Sequence, residues 1–248
     1  MFAYRKKTRE ETLREQIKQL AKEHYRWGYR LLFNYIRRLG ENANHKKFLR
    51  IYREEHLQIG KRSRRKERRF DRIKSEEPKG INERWSMDFM YDVLENKRSY
   101  RILNVIDDHS RECLCCEVSR SFGGYDVAEA LEKLISRYGK PKVIKSDNGA
   151  EFRSRYMEKW SKERGITLEF TRPGKPTENG QIESFNGTMR NELLRGIEFE
   201  SVREARAELE KWREKYNNER PHSALNYEPP SSRRRPHGGD GKENKLET

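Results

Sequence analysis

The stretch Arg84–Val93, "RWSMDFMYDV", is where the chain changes its period. Trp85, Met87, Phe89, Tyr91 and Val93 alternate with Ser86, Asp88, Met90 and Asp92, the spacing of a β-strand with two unlike faces. Asp88 therefore points away from the aromatic row. Downstream, "YRILNVID" and "ECLCCEVS" are two more strands, and the short "DDHSR" between them makes an antiparallel meander. A helix over Tyr125–Arg137 leads through "GKP" to a short buried strand in "KVIKSDNG", which ends at Asp147, where Asn148 and Gly149 turn the chain. A helix over Ser154–Arg164, a strand "ITLEF", a loop "TRPGKPTENG" and two further helices, Gly180–Arg190 and Val202–Tyr216, complete the pattern. Residues 81–230 thus read as a mixed α/β domain, with Asp147 beyond the carboxyl end of a strand, where ligands of open α/β sheets sit.

In the helix "GQIESFNGTMR", Ile182, Phe185, Met189 and Leu193 form one stripe that faces a core. Glu183, Gly187, Arg190 and Leu194 line its border. A helix loses about 1 kcal/mol by holding Gly in place of Ala, so Gly187, one turn beyond the acid, points to something bulky approaching there.

Upstream, apolar residues recur with helical spacing over Thr8–Lys22, after "RWGYR", and again from Asn44, a suitable N-cap. Residues 1–60 read either as a helix-turn-helix module, whose third helix offers His45, Lys46, Arg50 and Arg53 to a DNA groove, or as a small helical bundle with a solvated basic face. Residues 61–80 form a linker. Its run "KRSRRKERRFDR", with Arg64 and Arg65, is too poor in apolar residues to pack, and tracks a phosphate backbone or serves as a targeting signal. Residues 231–248 are polar and rich in Gly and Arg, the composition of a disordered tail.

Charge favours DNA as the partner. Of the formal net charge of +15, residues 1–80 hold +14, from 25 Lys and Arg against 11 Asp and Glu. Such asymmetry fits a polyanion held by the N-terminal third, through release of condensed counterions. "MFAYRKKTRE" lacks the apolar core of a secretory signal, and no apolar run approaches a bilayer span. The expectation is a cytoplasmic, nucleoid-associated protein with no membrane partner. Cys113, Cys115 and Cys116 share one strand, where alternation sends neighbours to opposite faces, and read as reduced hydrophobes.

Asp88, Asp147 and Glu183 are separated by 58 and then 35 residues. With "WSMDF", "NVIDDHSREC", "KSDNGAEF", "PGKPTENGQIESFNGTMRNELL" and "YNNERPHSAL" around them, the chain resembles the DDE transposases of bacterial insertion sequences, in the retroviral-integrase superfamily. "KEHYRWGYRLLFNYIRR" and "NHKKFLRIYREE" resemble the helix-turn-helix region of such enzymes.

The resemblance implies an RNase H-like catalytic core, a mixed five-stranded sheet flanked by helices and preceded by a small all-α helix-turn-helix domain. It implies Asp88, Asp147 and Glu183 as catalytic ligands of two Mg²⁺ (or Mn²⁺) ions, and Arg190, two turns beyond Glu183, as a DNA contact. Carboxylates suit such hard ions, and a pair of ions stabilises both oxygens of an in-line displacement. Asn148 shapes the turn after Asp147 and is counted among the DNA contacts. Lys175, in a loop expected to be mobile without DNA, is placed to grip phosphate. The expected partners are the double-stranded ends of the element, target DNA, further copies of the chain, and an upstream helix-turn-helix product of the kind related enzymes carry ahead of this region.

Two rival readings are a structure-specific nuclease of the same fold and a retired transposase serving as an architectural DNA-binding protein. Asp107 and Asp108 read as turn-forming acids, Glu151 as solvated, and His222 as a packing or capping residue.

Overall fold

The computed structural model describes residues 2–60, 77–172 and 179–233, with side chains from residue 9 onward. The linker residues Arg64 and Arg65, Lys175 with the loop around it, and the tail beyond residue 233 lie outside the described residues.

Three helices open the chain: α1 (Phe2–Glu23), α2 (Tyr29–Arg38) and α3 (His45–Glu54). The Asn44 side chain accepts hydrogen bonds from the Lys46 and Lys47 amides and caps α3, satisfying donors that have no partner inside the helix. Leu13, Ile17, Leu32, Ile36, Phe48 and Ile51 close a separate core between the three helices. α1 begins six residues before the expected start, because "AYRKKTRE" contains no residue that breaks a helix.

The second unit is built on β1 (Arg84–Val93), β2 (Ser99–Asp107), β3 (Cys113–Ser119), α4 (Gly124–Tyr138), β4 (Val143–Ser146), α5 (Arg155–Arg164), β5 (Thr167–Phe170), α6 (Gly180–Met189) and α7 (Val202–Asn218). The sheet order is β3-β2-β1-β4-β5. Short turns make β1, β2 and β3 antiparallel, whereas the crossovers through α4 and α5 leave β4 and β5 parallel to β1. This is the mixed five-stranded sheet flanked by helices that the sequence predicts.

Each face of the sheet has its own core. Trp85, Met87, Leu103, Val105 and Ile144 pack against Leu131 of α4 and Met157 and Trp160 of α5. Met90, Ile102, Ile106 and Cys116 pack on the other side against Ile182, Phe185 and Met189 of α6 and Leu209, Trp212 and Tyr216 of α7. The alternation of β1 thus turns Asp88 to the α6 side, the side away from Trp85 and Met87.

Three local expectations fail for identifiable reasons. β3 slips in register against Val105 and Ile106 of β2, so strict alternation breaks and Cys113 and Cys116 fall on one face with their sulfurs 3.2 Å apart, although both remain buried free thiols as expected. After Met189, α6 widens into a π-helical segment, Arg190–Leu194; the inserted residue rotates Leu194 from the border stripe into the core beside Leu193. Residues 231–233, expected to open a disordered tail, instead belong to a short 3₁₀ turn, Pro230–Arg233.

Candidate active site

Strand register brings Asp88 and Asp147 toward one another. β1 and β4 pair Arg84 with Val143, Trp85 with Ile144 and Ser86 with Lys145; the same offset carried forward sets Asp88 beside Asp147. Asp147 is the first residue after β4, and its Oδ1 accepts the Gly149 amide at 3.0 Å, which fixes the turn. Glu183 arrives from the first turn of α6, which packs across β1 and β2 and where a helix dipole favours an acid.

The electrostatics tie the three together. Burial, then the Asp147 charge, push the Asp88 carboxyl up to about 6, and the Glu183 charge adds to the rise. The Phe89 amide, at 2.9 Å, and the Asn186 side-chain amide, at 2.8 Å, pull the other way by donating to Asp88. Asp88 is half-buried, while Asp147 and Glu183 are exposed. As the side chains lie, no group of three or more His, Cys, Asp or Glu among the described residues is gathered tightly enough to hold a metal ion. Glu183, on an exposed helical face, is the weaker of the two influences on Asp88.

The sequence reading missed the residues that orient Asp88. Asn104, fully buried, faces Asp88 across the β1–β2 ladder, and its amide donates to Asn186 Oδ1 at 2.8 Å, which in turn holds Asp88. Two signals were present: Asn186 lies three residues after Glu183, on the same helical face, and Asn104 is the polar residue in the apolar run "ILNVI".

Other residues singled out in the sequence are placed as follows. Arg190 is exposed at the junction of α6 with the π-helical segment, its guanidinium donating to the Tyr91 carbonyl at 3.3 Å. Asn148 spends its amide nitrogen on the Thr171 carbonyl at 2.6 Å and accepts from Arg153 at 3.3 Å, which ties the Asp147 turn to the end of β5. In α3, Lys46 and Arg53 are exposed, the His45 ring sits edge-on to Phe33, and Arg50 is paired with Glu10 and Glu54, both at 2.8 Å.

Asp107 uses Oδ1 on the His109 and Ser110 amides and Oδ2 on the Asn82 amide, and Asp108 pairs with Arg84. Asp107 holds the turn as expected, whereas the buried Asp108 carboxylate is tied to Arg84 of β1 and not to its own backbone. Glu151 corrects the reading of a solvated acid: it is half-buried against Arg101, whose hydrogen bond holds its carboxyl below the usual range. Among the described residues nothing approaches Gly187, where a Cβ would meet open space, so the protein's own packing does not account for the glycine.

The integrase core domain family matches this chain over residues 78–176 and again over residues 164–230. An uncharacterized 31.7 kDa protein of insertion element IS407 from Burkholderia multivorans is 41% identical over 221 residues, spanning 89% of this chain and 80% of that protein. The chain belongs to the insertion-sequence transposases of the integrase superfamily. The transposase fold is shared with solved viral integrases. A simian T-cell lymphotropic virus intasome in complex with PP2A regulatory subunit B56 gamma superposes with a TM-score of 0.58 at 18% identity, over 94% of this chain and 79% of that one. The HTLV-2 integrase catalytic core domain in complex with magnesium gives 0.52 at 17%, over 63% and 99%. These likenesses carry the RNase H-like architecture. Among the described residues, no helix of the transposase is long and apolar enough to cross a membrane.

Proposed function

We propose that this transposase binds the ends of its insertion sequence, cuts them to free 3′-hydroxyls and joins those ends to target DNA in a reaction that needs divalent cations. The observation that carries the reading is the half-buried Asp88 carboxyl, brought toward Asp147 by strand register and raised first by burial, then by the charge of Asp147, with a smaller part from Glu183. A half-buried carboxyl whose charged form is disfavoured beside two other acids is a poor arrangement for a protein alone and a good one for a cation. The donors are all carboxylate oxygens, the set that suits a hard ion such as Mg²⁺ or Mn²⁺. Two such ions bound there supply stabilisation of the attacking and leaving oxygens of an in-line displacement.

The chain's own residues do the positioning. Asn186 and the Phe89 amide hold Asp88, the Gly149 amide holds Asp147, and Glu183, in the first turn of α6, would be the third ligand. Arg190, exposed on the same helix, takes a phosphate of the DNA end, with Lys175 in the preceding loop and Asn148 steadying the turn. His45, Lys46, Arg50 and Arg53 of α3, with Arg64 and Arg65 of the linker, bind duplex DNA away from the reacting phosphate. Water and a DNA 3′-hydroxyl attack from one position, so one site serves hydrolysis and transfer. Holding two ends together requires more than one copy of the chain, and the intasome likeness supports that assembly.

The test is a strand-transfer assay on duplexes carrying the element's ends, with Mg²⁺ or Mn²⁺ and with or without the upstream product. Nicked and joined products are expected, and Asp147→Asn abolishes both while DNA binding persists. Cleavage with no joining in any assembly favours the nuclease, and no chemistry at all favours the architectural protein.

A further inference from the structure

Glu151 is a fourth acid beside the cluster. Its Oε2 lies 3.3 Å from the point where a Cβ on Gly149 would sit, and Asp147 Oδ1 lies 3.1 Å from the same point, so both carboxylates border Gly149. Yet Glu151 does not face the cluster freely. Its Oε1 is held by Arg101 Nη1, with the two side chains only 24% and 13% exposed.

Arg101 is placed by an aromatic stack. It stands opposite Tyr91 in the β1–β2 ladder. Its guanidinium carbon lies 3.9 Å from the centroid of the Phe89 ring and 4.9 Å from that of Tyr91, within cation–π range. Phe89 in turn stacks on Phe152, with centroids 4.8 Å apart and planes 7° apart. Phe89 follows Asp88 and Phe152 follows Glu151, so one cation braces the strand that carries the first acid against the turn that carries the second.

We propose that Arg101 is a positioning residue that keeps the Glu151 carboxylate out of the Asp88, Asp147 and Glu183 set, so that three acids and not four present themselves to cations. The proposal rests on reading those three as the cation-holding set. A carboxylate released beside Asp147 adds attraction for a cation but draws it off the reacting position. The signature is therefore tighter metal binding together with slower chemistry, a combination that simple loss of packing does not produce.

The experiment titrates Mn²⁺ into the full chain, followed by electron paramagnetic resonance, and measures end cleavage on the same samples. Arg101→Gln is expected to bind Mn²⁺ about fivefold tighter, the effect of one partly screened charge. It is expected to cleave about tenfold slower, as when a residue that orients metal ligands is lost. Arg101→Gln with Glu151→Gln returns both quantities to wild type, and Arg101→Lys, which keeps the charge, stays near wild type. A double variant as slow as Arg101→Gln, a Lys variant that matches the Gln variant, or an Arg101→Gln that binds Mn²⁺ no tighter than wild type overturns the proposal. Asp147→Asn separates the two levels. Loss of Mn²⁺ binding there without the Arg101 pattern removes only this inference, whereas retained binding removes the three-acid reading beneath it.

Discussion

The Asn186 side chain donates to Asp88 Oδ2 at 2.8 Å and accepts from Asn104 at 2.8 Å, so a half-buried amide relay runs from β2 through α6 to the first acid on β1. The relay fixes the carboxylate's direction in a site where charge alone would push it away from its neighbours. Asn186→Ala is therefore expected to weaken Mn²⁺ binding by about tenfold or more, as removal of a residue that orients a metal ligand does. Calorimetric titration checks it. Wild-type affinity in the variant would show that Asp88 needs no such support.

Gly187 separates stability from function. It sits mid-helix with open space where a side chain would be, so the protein's own packing does not require it. Gly187→Ala should stabilise the fold by about 1 kcal/mol in urea melts. If the bare face one turn past Glu183 receives DNA, the same variant loses affinity for element ends. A gain in stability with unchanged DNA binding would leave the glycine without a role in binding.

The basic residues of α3 should not behave alike. Lys46 and Arg53 are exposed, whereas Arg50 is engaged by Glu10 and Glu54. Lys46→Ala and Arg53→Ala are each expected to reduce the salt dependence of DNA binding by about one unit of slope, the value for one lost phosphate contact. Arg50→Ala is expected to change that slope less and to loosen α3 from α1. Equal slopes for all three variants would mean that the Arg50 ion pairs yield to phosphate.

The His222 imidazole predicts a pH dependence. Burial, then the charges of Arg220 and Arg111, push it down to about 4, and its Nε2 lies 3.2 Å from the Tyr216 hydroxyl. Between its ordinary value of 6.5 and about 4, the unfolded chain holds a proton that the folded chain does not. Stability from this group is therefore complete above 6.5 and drains as pH falls through the window, by on the order of 3 kcal/mol in all. His222→Asn should flatten that part of the urea-stability profile. Parallel profiles for variant and wild type would refute the assignment.

How much of this was legible in the sequence differs from residue to residue. β1 announced itself because its two faces meet two different cores, so Trp85 and Met87 alternate cleanly with Ser86, Asp88 and Met90. The slip in β3 left no comparable mark: "CLCCEVS" has neither Gly nor Pro at the bulge, and strict alternation put Cys113 and Cys116 on opposite faces. The widening after Met189 was hidden too, since extrapolating at 100° per residue cannot foresee an inserted residue that buries Leu194. At the site, the three acids stood out by their local text, but Asn104, Asn186 and Arg101 act through partners 82, 98 and 50 positions away. Such pairings exist only once the sheet has formed.

The central claim is that acids from β1, β4 and α6 share cations. The most direct measurement is anomalous diffraction from crystals of the transposase soaked in Mn²⁺, with Asp88→Asn crystals as control. A manganese peak between Asp88 and Asp147, with Glu183 swung toward it and the peak lost in the variant, is the predicted result. A peak elsewhere, or none at concentrations that support DNA joining, would contradict the account.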